Sequence, residues 1–381
     1  MTGPDIPLLL VDGQKYSGWT GFSVERSLTQ AAGSFSLATA MAENGNAKLS
    51  WPVDPFTPVR IALGDDVLLT GFVDVVAPLL DHGQHGIQLS GRSRTADLVD
   101  CMTEVDGGEF RASSLDAIAR AICAPFGLEV VVRADMGDPF PIAAVNRSET
   151  AWQFLEQLCR LRGVLLTDDA EGRVVLTSVS ETRASASLVQ GLNIESASAT
   201  LDVSKRFSKY IIRSQTPIGS AAGSWEDVAG EGEGLPSGGG VGIAVHGEAT
   251  DPDVPRYRPY IAAAEHALDQ AGAQGRAQWQ ATYARGRAAV LKLRVQGWRD
   301  DAGALWQPNT LVPVKAPWLR LEQDLLVVSA SYRLDAKGRS TTLTLGPVAG
   351  YTPDPGQVKR RQAAAGSDGA DTWGPDIVPI R

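Results

Sequence analysis

The sequence is poor in the residues that build disulfide frameworks, metal centres and membrane spans. It has three cysteines and four histidines in 381 residues, and the odd cysteine count indicates reduced, buried thiols in a protein folded in the cytoplasm. No apolar stretch approaches about 20 residues, the length that a membrane-spanning helix needs, so no membrane insertion is expected. No basic segment precedes the short apolar run Ile6–Val11, so no signal peptide is expected.

Positive charge is also scarce relative to negative charge. Lysine and arginine number 35 against 44 aspartate and glutamate residues, which gives a net charge of −9 and argues against sequence-specific nucleic-acid binding. Turn-forming residues, by contrast, are abundant, with 40 glycines and 22 prolines. Together with a hydrophobic content of 43%, this composition predicts a folded, turn-rich protein of two to four domains.

Residues that could carry catalysis are scattered and fall in predicted turns. His82 and His85 have the spacing of metal ligands, but no cluster of cysteines or carboxylates accompanies them. The glycines of 238–242 lack the lysine that completes a phosphate-binding loop. We therefore expect no catalytic residue, no cofactor and no metal site. The acidic neighbours expected in solvated turns are Asp168 with Asp169, Glu226 with Asp227, and Asp300 with Asp301.

The stretch 113–178 has the clearest local signals and predicts a compact α/β unit of two helices and a hairpin. The expected boundaries are Ser114 and Gly127 for the first helix, and Ser148 or Asn146 and Gly163 for the second. The residues expected on the buried helix faces are Leu115, Ile118, Ala119, Ile122, Phe126, Trp152, Leu155, Leu158 and Cys159.

The regions on either side of this unit show the alternation of half-buried strands. Residues 1–92 predict five or more short strands, and residues 191–215 with 290–350 predict a second set. Two interpretations remain open: a duplicated barrel-like domain, or antiparallel strands that resemble one another through composition alone. The segments that resemble one another are 56–59 and 309–312, 67–69 and 325–327, 87–91 and 343–346, and 22–26 and 201–205.

The predicted fold class is mixed β and α+β. Two barrel-like β domains are expected with an intervening α/β domain and a further inserted loop and helix segment. Within that segment, 219–242 is a predicted loop and 261–289 a predicted helix. The predicted divisions are 1–92 (first β-barrel-like domain), 93–190 (α/β domain), 191–215 and 290–350 (second β-barrel-like domain), 216–289 (inserted segment) and 351–381 (extended C-terminal tail).

Apolar residues near the C-terminus fall into two groups. Trp298, Trp306 and Trp318 lie among leucines, and core packing is their expected role. The tail, 351–381, is interrupted by prolines and glycines and is too short to build a core. Its apolar residues are therefore predicted to dock on a partner protein. They are Trp373, Ile377, Val378 and Ile380.

Longer segments occur in an order that is more specific than any single motif. They span nearly the whole chain as far as Gly356 and leave out the glycine-rich loop and the tail. These segments are Tyr16–Thr20, Ser23–Ser27, Gly91–Cys101, Ile118–Gly127, Arg162–Thr167, Thr250–Pro259 and Gly350–Gly356.

In these segments the chain resembles the baseplate hub proteins of Mu-like contractile-tailed phages, which are members of the late-control D tail-hub family. The resemblance implies a homotrimer whose six β domains form a ring around the channel used for DNA ejection. Such a ring would join the six-fold tail tube to the three-fold central spike. The role implied is structural, with no enzymatic activity, and the implied location is the tail baseplate of a virion assembled in the host cytoplasm.

The partners implied by the resemblance are tail tube proteins, the central spike protein, and baseplate wedge or neighbouring baseplate subunits. The tape measure protein is a further candidate partner. A function of a different class stays open, that of a tail-associated or secreted cell-wall glycan hydrolase. Its only support is the set of acidic turn pairs, because glycoside hydrolysis uses two carboxyl groups.

Overall fold

Most of the described strands belong to one continuous sheet. The computed structural model describes residues 5–42, 53–81, 84–146, 148–216, 243–264 and 268–354. Within these residues, thirteen strands are joined edge to edge. They come from two β regions, one on each side of the α/β unit in the sequence.

The first β region consists of seven described strands. They are β1 (Pro7–Val11), β2 (Gln14–Tyr16), β3 (Gly21–Ser27), β4 (Ser34–Ala42), β5 (Pro58–Leu63), β6 (Asp66–Asp81) and β7 (Gln84–Ser93). Every second residue of β1 is buried, as the period of an extended strand requires. The β1–β2 hairpin turns at Asp12-Gly13, where both residues have positive φ (46° and 79°). Two-residue hairpin loops favour this geometry.

The α/β unit has a hydrophobic core of its own. Its elements are α1 (Ala96–Asp100), β8 (Glu109–Ser113), α2 (Leu115–Cys123), β9 (Val130–Val132), β10 (Phe140–Ala144), α3 (Ala151–Arg162), β11 (Leu165–Asp168) and β12 (Val174–Thr177). The predicted start of the first helix after Ser114 is confirmed, as are the left-handed stops at Gly127 and Gly163. The predicted helix faces are buried, Phe126 only in part.

The predicted cap of the second helix was wrong. Helix α3 begins after Thr150, whose hydroxyl accepts a hydrogen bond from the Gln153 N–H at 3.3 Å. The Gln153 side chain in turn accepts from the Thr150 N–H at 2.9 Å, which completes a capping box. Asn146 and Ser148 bond to each other in the preceding turn instead, so neither is available to the helix.

The remaining elements divide between the large sheet and a small one. They are β13 (Leu188–Val189), β14 (Ile194–Leu201), β15 (Lys209–Thr216), β16 (Ile243–Thr250), β17 (Pro259–Ala263), α4 (Gln270–Arg287), β18 (Ala289–Gln296), β19 (Leu311–Ala316), β20 (Leu321–Asp335) and β21 (Gly338–Gly346). Strands β15, β16 and β17 form a separate three-stranded sheet against α4, and the others complete the thirteen-stranded sheet.

Two expectations for this part of the chain were wrong. Residues 261–263 lie in β17, parallel to β15, rather than in the predicted helix. Helix α4 begins later, after Asp269, whose carboxylate accepts from the Gly272 N–H at 2.7 Å. Strand β15, grouped from sequence with the second β region, pairs with β16 and β17. Local composition does not reveal which sheet a strand joins.

The two β regions share one strand order. The first reads β3-β4-β7-β6-β5-β1, and the second reads β14-β18-β21-β20-β19-β13. When the strands of each region are counted along the chain, the same strand occupies each place in the two orders. The strand order expected of a duplicated region is therefore present. The last pairing differs, since β1 is antiparallel to β5 whereas β13 is parallel to β19.

The prediction of barrel-like domains is confirmed only as far as two strand-rich regions. The described strands form an open sheet that runs through both regions, because β3 of the first pairs antiparallel with β20 of the second. The core is shared as well, and the rings of Phe22 and Trp298 lie 5.8 Å apart across the join. The two regions therefore pack as one unit around that strand pair.

Candidate functional site

The β6–β7 hairpin has a structural counterpart in the β20–β21 hairpin. Each contains one β-bulge, between Val73 and Val75 in β6 and between Val327 and Ser329 in β20. The paired residues run from bulge to turn in the same number in both hairpins. Val73 therefore corresponds to Val327, and every later residue of β6 has its counterpart in β20.

The turns before the adjoining strands β5 and β19 also correspond. Phe56 and Asn309 both adopt positive φ, at 71° and 63°. The Phe56 N–H donates to the Val73 carbonyl at 2.7 Å, and the Asn309 N–H donates to the Val327 carbonyl at 2.8 Å. A left-handed backbone is unusual outside glycine, so its presence at both positions strengthens the correspondence.

The join between β3 and β20 is a buried contact between the two regions. Tyr332 of β20 lies opposite Val24 of β3 and is 1% exposed. Its hydroxyl donates to the Trp306 carbonyl, and burial raises the pKa of Tyr332 to about 12. The phenol therefore stays protonated at neutral pH and keeps its donor role.

The corresponding edge of β6 has no strand beside it in the described chain. Leu79 and Leu80 are 66% and 77% exposed, although their counterparts in β20 pair with β3. Strand β14, which corresponds to β3, ends the sheet, and its residues 195–201 are all exposed. Neither edge was predicted from the sequence, although the unbroken apolar run 75–80 was an available signal for the edge of β6.

Asp168 joins the α/β unit to the first β region and is not the solvated turn residue that was predicted. It is 6% exposed and accepts from the Gly33 N–H at 3.1 Å and from the Thr95 hydroxyl at 3.4 Å. Burial raises the pKa of this carboxyl, and the charge of Arg26 opposes the shift. Asp169 is held differently, because it accepts from the Arg173 guanidinium at 2.7 Å.

The other candidate acids and histidines do not form a catalytic group in the described residues. Asp300 caps a turn by accepting from the Ala302 and Ala304 N–H groups, and Asp301 is exposed. No cluster of three or more metal-ligating side chains occurs where the chain is described. Residues outside the described ranges are Glu226, Asp227, His82, His266 and the glycines of 238–242.

A buried ionic cluster ties α4 to the strand-rich part of the inserted segment. Asp251 is 1% exposed and accepts from Arg206 at 2.8 and 2.9 Å. It also accepts from Arg285 of α4 at 3.1 Å. Two guanidinium groups thus compensate one buried carboxylate, which indicates a structural role.

The tryptophans behave in two ways. Trp298 and Trp306 are buried, as predicted, whereas the prediction of core packing was wrong for Trp318, which is 85% exposed. Trp318 lies in a short helical turn between β19 and β20. The predicted docking residues Trp373, Ile377, Val378 and Ile380 lie outside the described residues.

Of the helices described, none is both long and apolar enough to cross a bilayer.

Comparison with known proteins finds related phage tail proteins over almost the whole chain. Residues 7–93 match the N-terminal domain of Mu phage baseplate assembly protein GpP-like proteins, and residues 95–178 match the second domain of baseplate hub protein gp44-like proteins. Residues 269–354 match the fourth domain of Mu phage baseplate assembly protein GpP. The first segment coincides with the first β region and the second with the α/β unit. The third contains α4 and strands β18–β21 of the second β region.

Individual relatives agree with these matches. The chain is 30% identical to baseplate hub protein gp44 of Escherichia phage Mu, over 95% of this chain and 93% of that protein. A 43 kDa tail protein of prophage MuSo2 from Shewanella oneidensis is 32% identical, with a TM-score of 0.79 over 92% of this chain and 100% of that one. The tail protein of Neisseria meningitidis MC58 shares the fold, with a TM-score of 0.76 at 19% identity over 92% of this chain and 99% of that one.

Proposed function

The chain belongs to the family of Mu-like phage baseplate hub proteins, and on that premise we propose that it is a trimeric symmetry adaptor. As a member of this family it is a structural protein of a phage tail baseplate, located in the tail of the virion. The proposed adaptor joins a six-fold tail tube to a three-fold central spike and forms part of the ejection channel.

The observation that supports this role is the repeated strand order within one chain. Three copies of a chain with two similar β regions present six similar surfaces around one axis. The α/β unit occurs once per chain, so three copies present it with three-fold symmetry only. One protein can in this way match a six-fold partner on one side and a three-fold partner on the other.

We extend the proposal to the domain organisation. The first β region (β1–β7) and the second (β13, β14 and β18–β21) are the two ring-forming domains, and the α/β unit lies between them in sequence. The inserted segment between β14 and β18 and the tail after 351 are additions specific to one side of the ring.

Electron microscopy of the tail tip, combined with mass measurement of the purified protein, tests the adaptor role. Three copies per tail, with six similar β domains around the channel, are expected. A stoichiometry other than three in the assembled particle would overturn the proposal.

The tail provides a second contact with the baseplate in this proposal. Trp373, Ile377, Val378 and Ile380 dock on the spike or on a neighbouring baseplate subunit, where their apolar area leaves water. Ordering the segment offsets part of this gain, so a preformed groove on the partner is required.

Deleting residues 357–381 tests the tail. The trimer is expected to stay folded and to lose affinity for the spike or neighbouring subunit, and Trp373→Ala is expected to cause part of the same loss. A co-sedimentation assay measures the attachment. Unchanged attachment of the truncated hub would show that the tail does not dock.

A further inference from the structure

Among the described residues, two sheet edges lack the strand that their counterparts possess. The edge of β6 after its bulge is one, since the matching part of β20 is covered by β3. The edge of β14 is the other, since the matching strand β3 is covered by β20. The two free edges are therefore the separated halves of a contact that the chain already makes once within itself.

Exposed apolar side chains occur at both edges. In β6, Val75, Leu79 and Leu80 are each more than half exposed. At the end of β14, Leu201 is 54% exposed, and Val203 just beyond it is also exposed. An exposed edge with unpaired backbone groups and apolar side chains, such as that of β6, is a liability for aggregation, so we expect a strand to cover it in the assembled protein.

Backbone hydrogen bonds show which residues of β6 face outward. At the internal join, the Leu28 N–H donates to the Val328 carbonyl at 2.8 Å. Because the pattern alternates along antiparallel strands, Ala330 and Tyr332 direct their N–H and C=O groups toward β3. The corresponding residues of β6, which direct these groups out of the sheet, are Val76, Pro78 and Leu80.

The same alternation identifies the outward residues of β14. The Asp202 N–H donates to the Ala288 carbonyl at 2.8 Å, toward β18. Residues at odd positions before it therefore point their backbone groups away from β18. They are Ala197, Ala199 and Leu201.

We infer that β14 of one copy pairs with the free edge of β6 in a second copy, in the register of the internal β3–β20 join. The opposing residues are Val76 with Leu201, Pro78 with Ala199, and Leu80 with Ala197. This inference rests on the proposed trimer and specifies how its subunits meet. The contact is head-to-tail, and in the proposed trimer it repeats three times to close a ring in which β regions alternate.

Pro78 sets a limit on the strength of this pairing. Proline has no N–H, so the Pro78–Ala199 pair retains only the bond from the Ala199 N–H to the Pro78 carbonyl. The ladder consequently contains about five hydrogen bonds rather than six. The missing donor faces the free edge and not β7, which explains why β6 tolerates a proline in mid-strand.

Disulfide trapping tests the register. Leu79 and Ser198 would be a non-hydrogen-bonded pair, with Cα atoms about 4.5 Å apart, within the range of disulfides. In a Cys101→Ser background, which removes the exposed native thiol, Leu79→Cys with Ser198→Cys is expected to give covalent dimers and trimers on mild oxidation. Leu79→Cys with Ser196→Cys, shifted by two residues, is the matched control and is expected to cross-link far less.

The outcomes separate this inference from the proposed function. A protein that stays monomeric at every concentration would overturn both. A trimer that does not cross-link, or that cross-links equally in the control, would overturn the strand pairing and leave the trimer intact.

Two single substitutions test the pairing without cysteines. Ala199→Pro removes an N–H that points away from β18 and has no partner in the described part of the subunit, so circular dichroism should be unchanged while trimer affinity falls at least tenfold. Pro78→Ala supplies the missing donor and should tighten the trimer about fivefold. Sedimentation equilibrium measures both effects. If neither affinity changes in folded protein, the edges are not paired.

Discussion

The two β regions share a strand order but have different residues at corresponding packed positions. Gly91 in the first region corresponds to Leu345 in the second, and Phe35 corresponds to Leu291. A Cβ at Gly91 would lie 2.0 Å from the Phe72 carbonyl oxygen and 2.7 Å from the Phe35 ring. In the first region, one aromatic ring beside a glycine thus occupies the space that two leucines share in the second. The two regions therefore keep the same strand pairing and core volume with different residues.

The regions also differ in what is attached to them. The second carries the inserted segment between β14 and β18, whereas β3 and β4 of the first are joined by a short connection. The turn before β6 is two residues long, while the turn before β20 carries Trp318. Additions at loops leave the ladder intact, so copies of one sheet can acquire different partners.

The largest effect on stability is expected from a substitution in the β3–β20 join. The position chosen has a counterpart on the uncovered edge of β6 in the first region. Tyr332→Ala should destabilise the protein by about 4 kcal/mol, because it removes a buried aromatic ring and a hydroxyl donor. Pro78→Ala at the corresponding position should change the stability of the isolated subunit by less than about 0.5 kcal/mol. Urea unfolding of both variants measures the difference, and equal effects would contradict the correspondence.

The glycine–aromatic exchange is expected to give the next largest effect. Gly91→Ala should cost about 3 kcal/mol, because a new Cβ collides with backbone that cannot move freely. Combining it with Phe35→Leu should recover part of this loss if the two positions share one space. Thermal unfolding of the single and double variants gives the coupling energy. Simple additivity would show that the backbone contact alone excludes a side chain.

Asp168 provides a pH-dependent test of the join between the α/β unit and the first β region. Its pKa is raised by burial, so the folded state binds a proton more tightly than the unfolded chain does. Stability from this group is therefore present at acidic pH and falls as the pH rises through the folded pKa. Asp168→Asn should remove that slope and change stability at pH 7 by about 1 kcal/mol.

The double variant Asp168→Asn with Asp169→Asn extends the same test to function. Particle infectivity is expected to persist, because the amide at 168 still accepts from Gly33 and Thr95. Normal assembly with lost infectivity would instead favour a catalytic role for these carboxyl groups.

The smallest effect on stability is expected at Trp318. Trp318→Ala should change unfolding free energy by less than about 0.5 kcal/mol, since the ring is mostly in solvent. If the second region uses this turn to bind a neighbouring baseplate subunit, attachment in co-sedimentation should weaken. Trp298→Ala, which leaves a cavity in the core, is the contrasting control and should destabilise the folded protein strongly.

The α/β unit was predictable from its residues because its signals are local. The helix stops at Gly127 and Gly163 and the apolar faces of α2 and α3 depend on neighbours within a few positions. The cap at Thr150 was missed only because nearby side chains competed for the same role. The correspondence of 56–59 with 309–312 was likewise in register, since a special turn marks each segment.

Tertiary structure alone decided the rest. Residues 325–327 correspond to 71–73 and not to the predicted 67–69, because register depends on a bulge that leaves no local trace. The choice of β17 as a strand, the burial of Asp168 and the pairing of β3 with β20 all depend on residues far away in the chain. Strand pairing is a long-range contact between interchangeable backbone groups, so which edges meet and which stay free follows from the assembled sheet.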